Sequence, residues 1–321
     1  MTAISVVMGV YNGAKTLAET IDSILGQSET DFELIVVDDG STDQTSAILD
    51  EYARRDGRLR VIRQTRSGLT GALISGCQAA TGRYIARQDA GDISHRLRLK
   101  AQSEALDESP EVVFASCWTI FVGPDLEPLY DSRGLPSSAR PVSVLDPLAP
   151  HGIVDGPTHH GSVMFRRDIY LQVGGYRREF YYGQDWDLWY RMASAGKFLI
   201  VQEPLYTARI TPASISSLAR VAQERIAALA SEASRARSRG ESDNHIVANA
   251  AAIRPEDRAS VCARGRGLYF IGEALRRNRD VRCRHYLLQA ALACPLLLKA
   301  WVRLFQSLAL RRLPSNPAPH P

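Results

Sequence analysis

The chain has 321 residues, of which 45% are hydrophobic and 23% are charged, as in an ordinary soluble globular protein. This length is sufficient for one large α/β domain with an additional segment. The formal net charge of +4 is too small to predict binding to nucleic acid, so we expect no nucleic-acid partner.

The five cysteines are widely spaced, and none of them forms a CxxC pair. This pattern predicts neither a zinc site nor a disulfide framework, and it favours a reducing compartment. The N-terminus lacks the basic region and cleavage site of a signal peptide. The longest largely apolar stretch, residues 287–298, is shorter than the roughly 18 residues that predict a membrane span. We therefore expect a cytoplasmic protein.

Strand and helix patterns alternate in the N-terminal third of the chain. The apolar segments that predict strands are Ile4–Val10, Glu33–Asp38, Leu59–Arg63 and Arg83–Gln88. Helical patterns lie between them, and Ser41 with Gln44 is typical of a capping box at the second helix. This alternation predicts a Rossmann-like, mostly parallel α/β sheet flanked by helices, with ligands beyond the carboxyl ends of its strands.

Later segments are less regular. Their patterns predict a helix over His95–Leu106, strands over Val112–Trp118 and His160–Arg166, and a helix over Asp185–Ala195. Residues 123–157 are rich in Pro, Gly and Ser, which predicts an irregular loop that acts as a lid or contacts an acceptor. Helical patterns over 216–235 and 258–311 precede a Pro-rich tail, residues 314–321, that we expect to be disordered.

Two carboxylates, Asp38 and Asp39, end the second predicted strand and are followed by Gly40 and Ser41. A carboxylate at this sheet edge can accept a hydrogen bond from a nucleobase N–H or from a ribose hydroxyl. A turn followed by a helix cap explains the same residues equally well.

The fourth predicted strand ends in Asp89-Ala90-Gly91-Asp92. Two carboxylates with a glycine between them can hold Mg²⁺ or Mn²⁺ against a diphosphate, since these cations prefer hard oxygen ligands. The alternative is a polar turn. Adjacent His159 and His160 on a strand would point to opposite faces, so they predict one core or site histidine rather than a metal pair.

Residues 184–189 read Gln-Asp-Trp-Asp-Leu-Trp and start a predicted helix. Asp185 at this position can take a proton from an acceptor hydroxyl, and Trp186 can stack on a sugar ring. The alternative is that Asp185 only caps the helix. The helix dipole lowers the pKa of such a carboxyl, whereas burial beside Trp186 raises it.

Five segments in this order resemble family 2 of the inverting glycosyltransferases: VVMGVYNG, DFELIVVDDGSTD, YIARQDAGD, SVMFRRD with VGGY, and QDWDLWYRM. The resemblance covers roughly residues 3–210. It implies a GT-A fold, a nucleotide-sugar donor, a divalent cation (Mn²⁺ or Mg²⁺) and transfer with inversion.

The resemblance also implies roles for individual residues. Val10 and Tyr11 would pack by the nucleobase, Asp39 would bind it with Asp38 close by, and Arg66 and Gly68 would lie near the nucleotide. Asp89 would contact ribose and metal, Asp185 would be the general base, and His160 and Trp186 would lie in the acceptor region. The chain departs from the family at Gly9, Gly91 and Gln184. Because Gly91 stands where the family has a metal-binding carboxylate, either Asp92 serves as the substitute ligand or the affinity for the metal is low.

These features predict a hexosyl- or N-acetylhexosaminyltransferase that uses a UDP-sugar and a glycan or lipid-linked acceptor in bacterial surface polysaccharide synthesis, either lipopolysaccharide or exopolysaccharide. The catalytic domain would span 1–212, with the donor half at about 1–120 and the acceptor half at about 121–212, and a helical region would span 213–313. Two alternatives remain, a sugar-nucleotide nucleotidyltransferase and a non-catalytic protein that binds nucleotide-sugars.

An apolar stripe with basic flanks runs from Leu287 to Leu308. A helix lying on an anionic membrane would have this pattern, which would place the protein at the inner face of the plasma membrane. A helix packed on the catalytic domain or on a twin subunit is the alternative. Pro295 interrupts the stripe and slightly favours the packed helix.

Overall fold

The computed structural model describes residues 2–133, 156–212, 220–254 and 261–310. In these residues one sheet has nine strands: β1 (Ile4–Val10), β2 (Phe32–Asp38), β3 (Leu59–Arg63), β4 (Tyr84–Asp89), β5 (Ile93–Ser94), β6 (Val112–Val122), β7 (Pro128–Ser132), β8 (Met164–Arg166) and β9 (Lys197–Arg209). The strand order is β3-β2-β1-β4-β8-β6-β9-β5, with β7 beside β6.

The predicted parallel sheet forms half of this arrangement. β1 pairs in parallel with β2 and β4, and β2 pairs in parallel with β3. The other half is antiparallel, since β8 pairs in this way with β4 and β6, and β5 pairs in this way with β9. The sheet is therefore mixed, with parallel and antiparallel strands side by side.

Six helices accompany the strands: α1 (Leu17–Leu25), α2 (Thr45–Arg55), α3 (Gly68–Ala79), α4 (Arg98–Glu108), α5 (Arg167–Gln172) and α6 (Gln184–Ala193). Alternate residues of β1 contribute to two separate apolar cores. Val6 packs with Ile21 in one core, and Val7 packs with Leu73 in the other. Because successive side chains of a strand point to opposite faces, helices cover both faces of the sheet, as the sequence predicts.

Local structure differs from the sequence predictions at three places. Helix α2 begins at Thr45 without a side-chain cap, so Ser41 does not form the predicted capping box. The predicted strand over His160–Arg166 is shorter, because residues 160–162 form a turn of 3₁₀ helix before β8. Strand β7 lies within the predicted irregular loop over 123–157, of which residues 134–155 fall outside the described part.

The C-terminal region is helical, as predicted, and contains α7 (Arg220–Ser238), α8 (Asn244–Ala251), α9 (Val261–Arg277), α10 (Cys283–Ala293) and α11 (Leu298–Ser307). The chain divides into two compact units. The first contains residues 1–120, 131–208 and 222–254, and the second contains residues 121–130, 209–221 and 255–321. The predicted tail over 314–321 lies outside the described residues.

The second unit has its own apolar core, in which Ile271 and Leu275 of α9 pack with Leu287 of α10 and Ala300 of α11. A disulfide joins Cys262 of α9 to Cys294, whose Cα atoms are 4.9 Å apart. The cysteine spacing had indicated no disulfide framework, and it did not predict this single pair. The sequence separation of 32 hid the pair, because only the packing of α9 on α10 brings the two cysteines together. None of the described helices has the length and apolar character needed to span a membrane.

Candidate active site

The carboxyl ends of β1, β2 and β4 meet at one edge of the sheet. In the parallel register, Val10 of β1 lies opposite Asp38 of β2, and Gly9 lies opposite Asp89 of β4. The backbone N–H of Asp39 donates to the carbonyl of Val10 at 2.9 Å. The structure thus brings together the acidic segments at residues 38–39 and 89–92, which are 50 residues apart in the sequence.

Asp39 anchors the loop before α3. Its Oδ1 accepts hydrogen bonds from Gln64 Nε2 at 2.7 Å and from the Ser67 N–H at 2.8 Å, and its Oδ2 accepts from the Gly68 N–H at 2.8 Å. The carboxylate is 3% exposed. Both of its oxygens therefore hold protein groups, and the sequence did not reveal this anchoring role.

Asp38 holds the turn after β2. It accepts hydrogen bonds from the Ser41 N–H at 3.0 Å and from the Ser46 hydroxyl at 2.6 Å. Burial alone would raise the pKa of Asp38, but these hydrogen bonds outweigh burial and lower the pKa below its usual value. The residue is an ionised anchor of the turn.

Tyr11 and Arg66 lie against each other at the same sheet edge. The guanidinium carbon of Arg66 is 4.0 Å from the centre of the Tyr11 ring, and both side chains are exposed. Next to Tyr11, Asn12 has a φ of 50° and accepts the Thr42 N–H through its Oδ1 at 2.8 Å. This hydrogen bond connects the turn after β1 to the turn after β2. It restrains the backbone next to the exposed Tyr11 ring, on which the Arg66 guanidinium lies.

A cavity of about 300 Å³ opens beside the same loop. It is lined by Ser67, Thr70, Gly71, Arg178, Tyr181 and Arg254. The guanidinium of Arg254 lies 5.9 Å from the centre of the Tyr181 ring. Two arginines and no acidic residue line this cavity, so its chemistry suits an anionic group.

Asp89 forms an ion pair with the buried Arg87. Arg87 Nη2 lies 2.5 Å from Asp89 Oδ1, and the arginine side chain is 1% exposed. Burial would raise the pKa of Asp89, but the positive charge of Arg87 outweighs burial, and the pKa is lowered to about 2. Asp89 is therefore a permanent anion at the edge of the sheet.

Asp89, Asp92 and His159 offer ligand atoms that all lie within 4.8 Å of one another. Burial lowers the pKa of His159 in spite of the attraction of Asp89, so the imidazole is neutral at neutral pH. Asp92 accepts a hydrogen bond from the Tyr206 hydroxyl at 2.9 Å. Two carboxylates and a neutral imidazole are a donor set that fits Mn²⁺ or Mg²⁺.

The backbone leaves space around these three groups. A Cβ on Gly161 would overlap the Tyr206 hydroxyl and lie 3.0 Å from Asp89 Oδ2, so only glycine fits there. Gly91 has a φ of 103°, a conformation that side-chain-bearing residues rarely adopt. His159 is therefore the third possible ligand beside the two carboxylates. An aspartate in place of Gly91 would be strained by the positive φ of this position.

Asp185 lies in the first turn of α6 and is half-buried. Burial raises the pKa of Asp185 to about 6, aided by the negative charge of Asp89, whereas backbone hydrogen bonds at the helix start and the positive charge of Arg87 lower it. The effect of burial is the largest of these, so the pKa is raised overall. The result is a carboxylate that is ionised at neutral pH but basic enough to accept a proton.

Asp187, two residues further along α6, has a different environment. It is fully buried, and its carboxylate pairs with Arg177 and with Arg191, whose Nη2 lies 2.6 Å from Asp187 Oδ2. This network fixes α6 to the preceding loop, so Asp187 has a structural role that Asp185 does not share.

The two residues of the predicted acceptor region belong to an aromatic cluster. His160 Nε2 lies 2.8 Å from the Tyr176 hydroxyl, and its ring stands edge-on to Trp189. Burial, and then Arg87, lower the pKa of His160 well below its usual value. Trp186 is half-buried and stands edge-on to Trp189 at 5.1 Å.

Sequence reasoning missed Arg87, Arg98, His159 and Tyr206. Arg98 is completely buried and donates to the Arg87 carbonyl at 2.6 Å, which supports β4 from behind. Arginines inside apolar or helical patterns give no sign of burial. His159 was assigned to a strand, but it precedes a 3₁₀ turn, and this position aims its ring at the carboxylates. The His-His-Gly sequence at residues 159–161 was the signal in the sequence that could have indicated a site histidine here.

The chain belongs to Glycosyl transferase family 2, whose family model matches residues 5–172. The putative glycosyltransferase EpsE of Bacillus subtilis is 35% identical over 213 residues, which cover 64% of this chain and 72% of EpsE. The uncharacterized glycosyltransferase MJ1057 of Methanocaldococcus jannaschii is 29% identical over 227 residues, which cover 70% of this chain and 76% of that protein.

Solved structures of low sequence identity share the fold. TarS 1-349 of S. aureus in complex with UDP has a TM-score of 0.51 and 17% identity, with 95% of this chain and 88% of that chain covered. The mannosyltransferase PcManGT of Pyrobaculum calidifontis, in complex with GDP-Man and Mn²⁺, has a TM-score of 0.53 and 17% identity, with 96% and 84% covered. The GT-A-type α/β fold with a helical C-terminal region is therefore confirmed.

Asp187→Asn should lower the free energy of unfolding by about 3 kcal/mol, because it leaves two arginines beside a neutral amide in a buried place. The control is Asp50→Asn, which breaks the exposed pair with Arg63 and should cost less than about 1 kcal/mol. Urea unfolding followed by circular dichroism measures both. Equal losses in the two variants would contradict the structural role of Asp187.

Proposed function

We propose that the chain transfers a sugar from a nucleotide-sugar, with a UDP-sugar as the preferred donor, to an acceptor hydroxyl with inversion at the anomeric carbon. One observation carries this proposal. A carboxylate of raised pKa, Asp185, is held within electrostatic reach of the anionic Asp89 at the sheet edge where ligands bind in α/β folds. Membership of the family supports the general reaction type.

The transfer is a single displacement. Asp185 accepts the proton of the acceptor hydroxyl while that oxygen forms a bond to the anomeric carbon. The bond from this carbon to the phosphate oxygen breaks at the same time, and the nucleoside diphosphate leaves with the electron pair. Attack from the face opposite the leaving group gives the inverted product.

The donor nucleotide would occupy the exposed surface around Tyr11 and Arg66. Stacking on an aromatic ring and a guanidinium suits a planar nucleobase, and Val10 closes the surface from below as a buried side chain. Asp39, with Asp38 beside it, would meet the base, and Gly68 would let the backbone approach. The UDP present with TarS supports a uridine nucleotide.

Asp89, Asp92 and His159 are the residues that would hold Mn²⁺ or Mg²⁺. A bound divalent cation supplies positive charge that stabilises a leaving diphosphate. The Mn²⁺ present with PcManGT supports this assignment. Arg178 and Arg254 add positive charge in the neighbouring cavity, where an anionic part of either substrate would bind.

The acceptor would be a glycan or a lipid-linked glycan of bacterial surface polysaccharide synthesis. It would approach Asp185 along the aromatic cluster of His160 and Trp186, since aromatic rings stack on sugars. In this proposal residues 1–212 form the catalytic domain, and the protein acts in the cytoplasm at the inner face of the plasma membrane.

The stereochemical outcome tests the reaction. A screen of UDP-, GDP- and dTDP-sugars with Mn²⁺ and glycan acceptors should yield a product whose anomeric proton coupling, measured by NMR, shows inversion. A retained configuration would exclude Asp185 as a base in a single displacement. Donor binding without turnover across the screen would favour a non-catalytic binding protein, and pyrophosphate release from a nucleoside triphosphate and a sugar phosphate would favour a nucleotidyltransferase.

Asp185→Asn should abolish transfer and also stabilise the protein at about pH 8. The folded pKa of about 6 lies above the usual value of 3.8, so the ionised carboxylate costs stability above pH 6, and this cost vanishes as the pH falls through 3.8. Urea unfolding should therefore show a gain in stability that shrinks towards acid pH. In the native protein kcat/KM should fall below about pH 6 as the base becomes protonated.

The matched control is Asp168→Asn, which changes an exposed carboxylate at the start of α5. It should keep full activity and show no gain in stability. A native pH profile that stays flat from about pH 7 down to pH 5 would contradict the role of Asp185.

His159→Ala should raise the Mn²⁺ concentration needed for half-maximal activity by about tenfold or more, because one of three ligands is lost. The control His245→Ala removes an exposed imidazole of α8 and should change nothing. Titration of activity with Mn²⁺ in chelator-treated protein measures both. An unchanged requirement in His159→Ala would remove this residue from the proposed cation site.

A further inference from the structure

Helix α11 packs in the reverse of the usual way for a helix of a globular protein. Its fully buried side chains are the small residues Ala300 and Ser307. Leu304 packs against the core, but most of the large apolar side chains point outward: Leu298, Trp301, Val302 and Phe305, with Leu308 just beyond the helix end. These residues recur at spacings of three and four, so they form one continuous stripe on the outer side.

The exposure of this stripe is high. Phe305 is 77% exposed, Leu298 is 71% exposed and Leu308 is 61% exposed. Soluble proteins carry single exposed apolar residues without consequence, but a contiguous set of large side chains marks a surface that binds something.

Residues before α11 extend the same apolar character. Leu296, in the connection between α10 and α11, is 89% exposed, and Leu292 at the end of α10 is 64% exposed. The Trp301 indole N–H donates to the Pro295 carbonyl at 3.2 Å. We use the name apolar face for Leu292, Leu296, Leu298, Trp301, Val302, Phe305 and Leu308.

The second unit holds α11 in this orientation. The guanidinium of Arg284 on α10 donates to the carbonyls of Ser307, at 3.1 Å, and Leu310, at 2.7 Å, and so satisfies the C-terminal end of α11. Arg303 pairs with Glu273 of α9 at 3.5 Å. The outward stripe is therefore part of a fixed packing arrangement rather than a frayed end.

The described C-terminal helices that carry the apolar face have a positive formal charge. Residues 261–310 contain nine arginine or lysine residues and two acidic residues, Glu273 and Asp280. Lys299 lies within α11, is exposed, and makes no ion pair with any residue that the structure describes. A basic region with outward leucines, a tryptophan and a phenylalanine has the chemistry of a helix that lies in the headgroup region of an anionic bilayer.

We propose that the apolar face of α11 and the end of α10 inserts into the surface of an anionic lipid bilayer, with Lys299 at the phosphate level. This inference rests on the proposed function in one respect, because a lipid-linked acceptor would be presented at the same surface. A second copy of the chain is the competing occupant. Positive charge on both copies would repel across such an interface, whereas it attracts an anionic lipid surface.

The test is sedimentation of the full chain with vesicles of phosphatidylcholine alone or mixed with phosphatidylglycerol. The wild type should bind the mixed vesicles and bind phosphatidylcholine much less. Leu298→Gln with Phe305→Gln should weaken binding by about tenfold or more, because two large apolar contacts are lost. Lys299→Gln should weaken binding to the mixed vesicles only.

The matched control is Leu97→Gln with Leu171→Gln, which removes two exposed leucines of the first unit, 44% and 52% exposed, and should leave vesicle binding unchanged. Tryptophan emission should shift to shorter wavelength on the mixed vesicles in the wild type and not in Trp301→Phe. Both double variants should keep the circular dichroism spectrum of the wild type, since all four leucine and phenylalanine positions are exposed.

Two results would overturn the inference. One is a wild type that stays in the supernatant with mixed vesicles. The other is light scattering that shows a wild-type dimer converted to a monomer by Leu298→Gln with Phe305→Gln, which would make the apolar face a contact between two copies. Transfer to a soluble acceptor, measured without lipid, should be unaffected by this double variant, so a failure of the proposed function would be recognised separately.

Discussion

The ion pair between Arg87 and Asp89 is the interaction on which the candidate site depends. The guanidinium is buried behind the end of β4, and its charge acts on both Asp89 and Asp185. It keeps Asp89 ionised in a place where burial alone would protonate it. Asp185 forms no ion pair with any residue that the structure describes, and burial raises its pKa to about 6. The two nearby carboxylates therefore differ in pKa, that of Asp89 below the usual value and that of Asp185 above it.

The sequence predicted the parallel half of the sheet well, because β1 and β2 are largely apolar, buried segments and a helix follows each of β1, β2 and β3. It failed for β8, where the 3₁₀ turn at residues 160–162 replaces the first half of the predicted strand. It also failed for the disulfide between Cys262 and Cys294, since a pair 32 residues apart leaves no local pattern. Both features depend on packing between residues that are distant in the sequence. The local periodicity of apolar residues gives no information about such contacts.

The candidate site divides in the same way. Asp89, Asp92 and Asp185 were visible because carboxylates at strand ends and helix starts stand out from apolar surroundings. Arg87 and Arg98 were invisible, because a buried arginine differs from an exposed one only in its neighbours. Asp187 shows the reverse case. It resembles Asp185 in the sequence, but its carboxylate forms ion pairs with Arg177 and Arg191. Two aspartates of one motif thus have different environments.

The anchoring of the loop by Asp39 has a consequence for how recognition is measured. The carboxylate that the family pattern assigns to the nucleobase also holds Gln64, Ser67 and Gly68 in place, and Arg66 sits on the same loop. In the proposed function, loop order and recognition of the nucleobase are therefore thermodynamically linked. Removing the carboxylate would change the ensemble of the free protein as well as the complex. An affinity lost at this residue is then a sum of two free energies, one of which never involves the ligand.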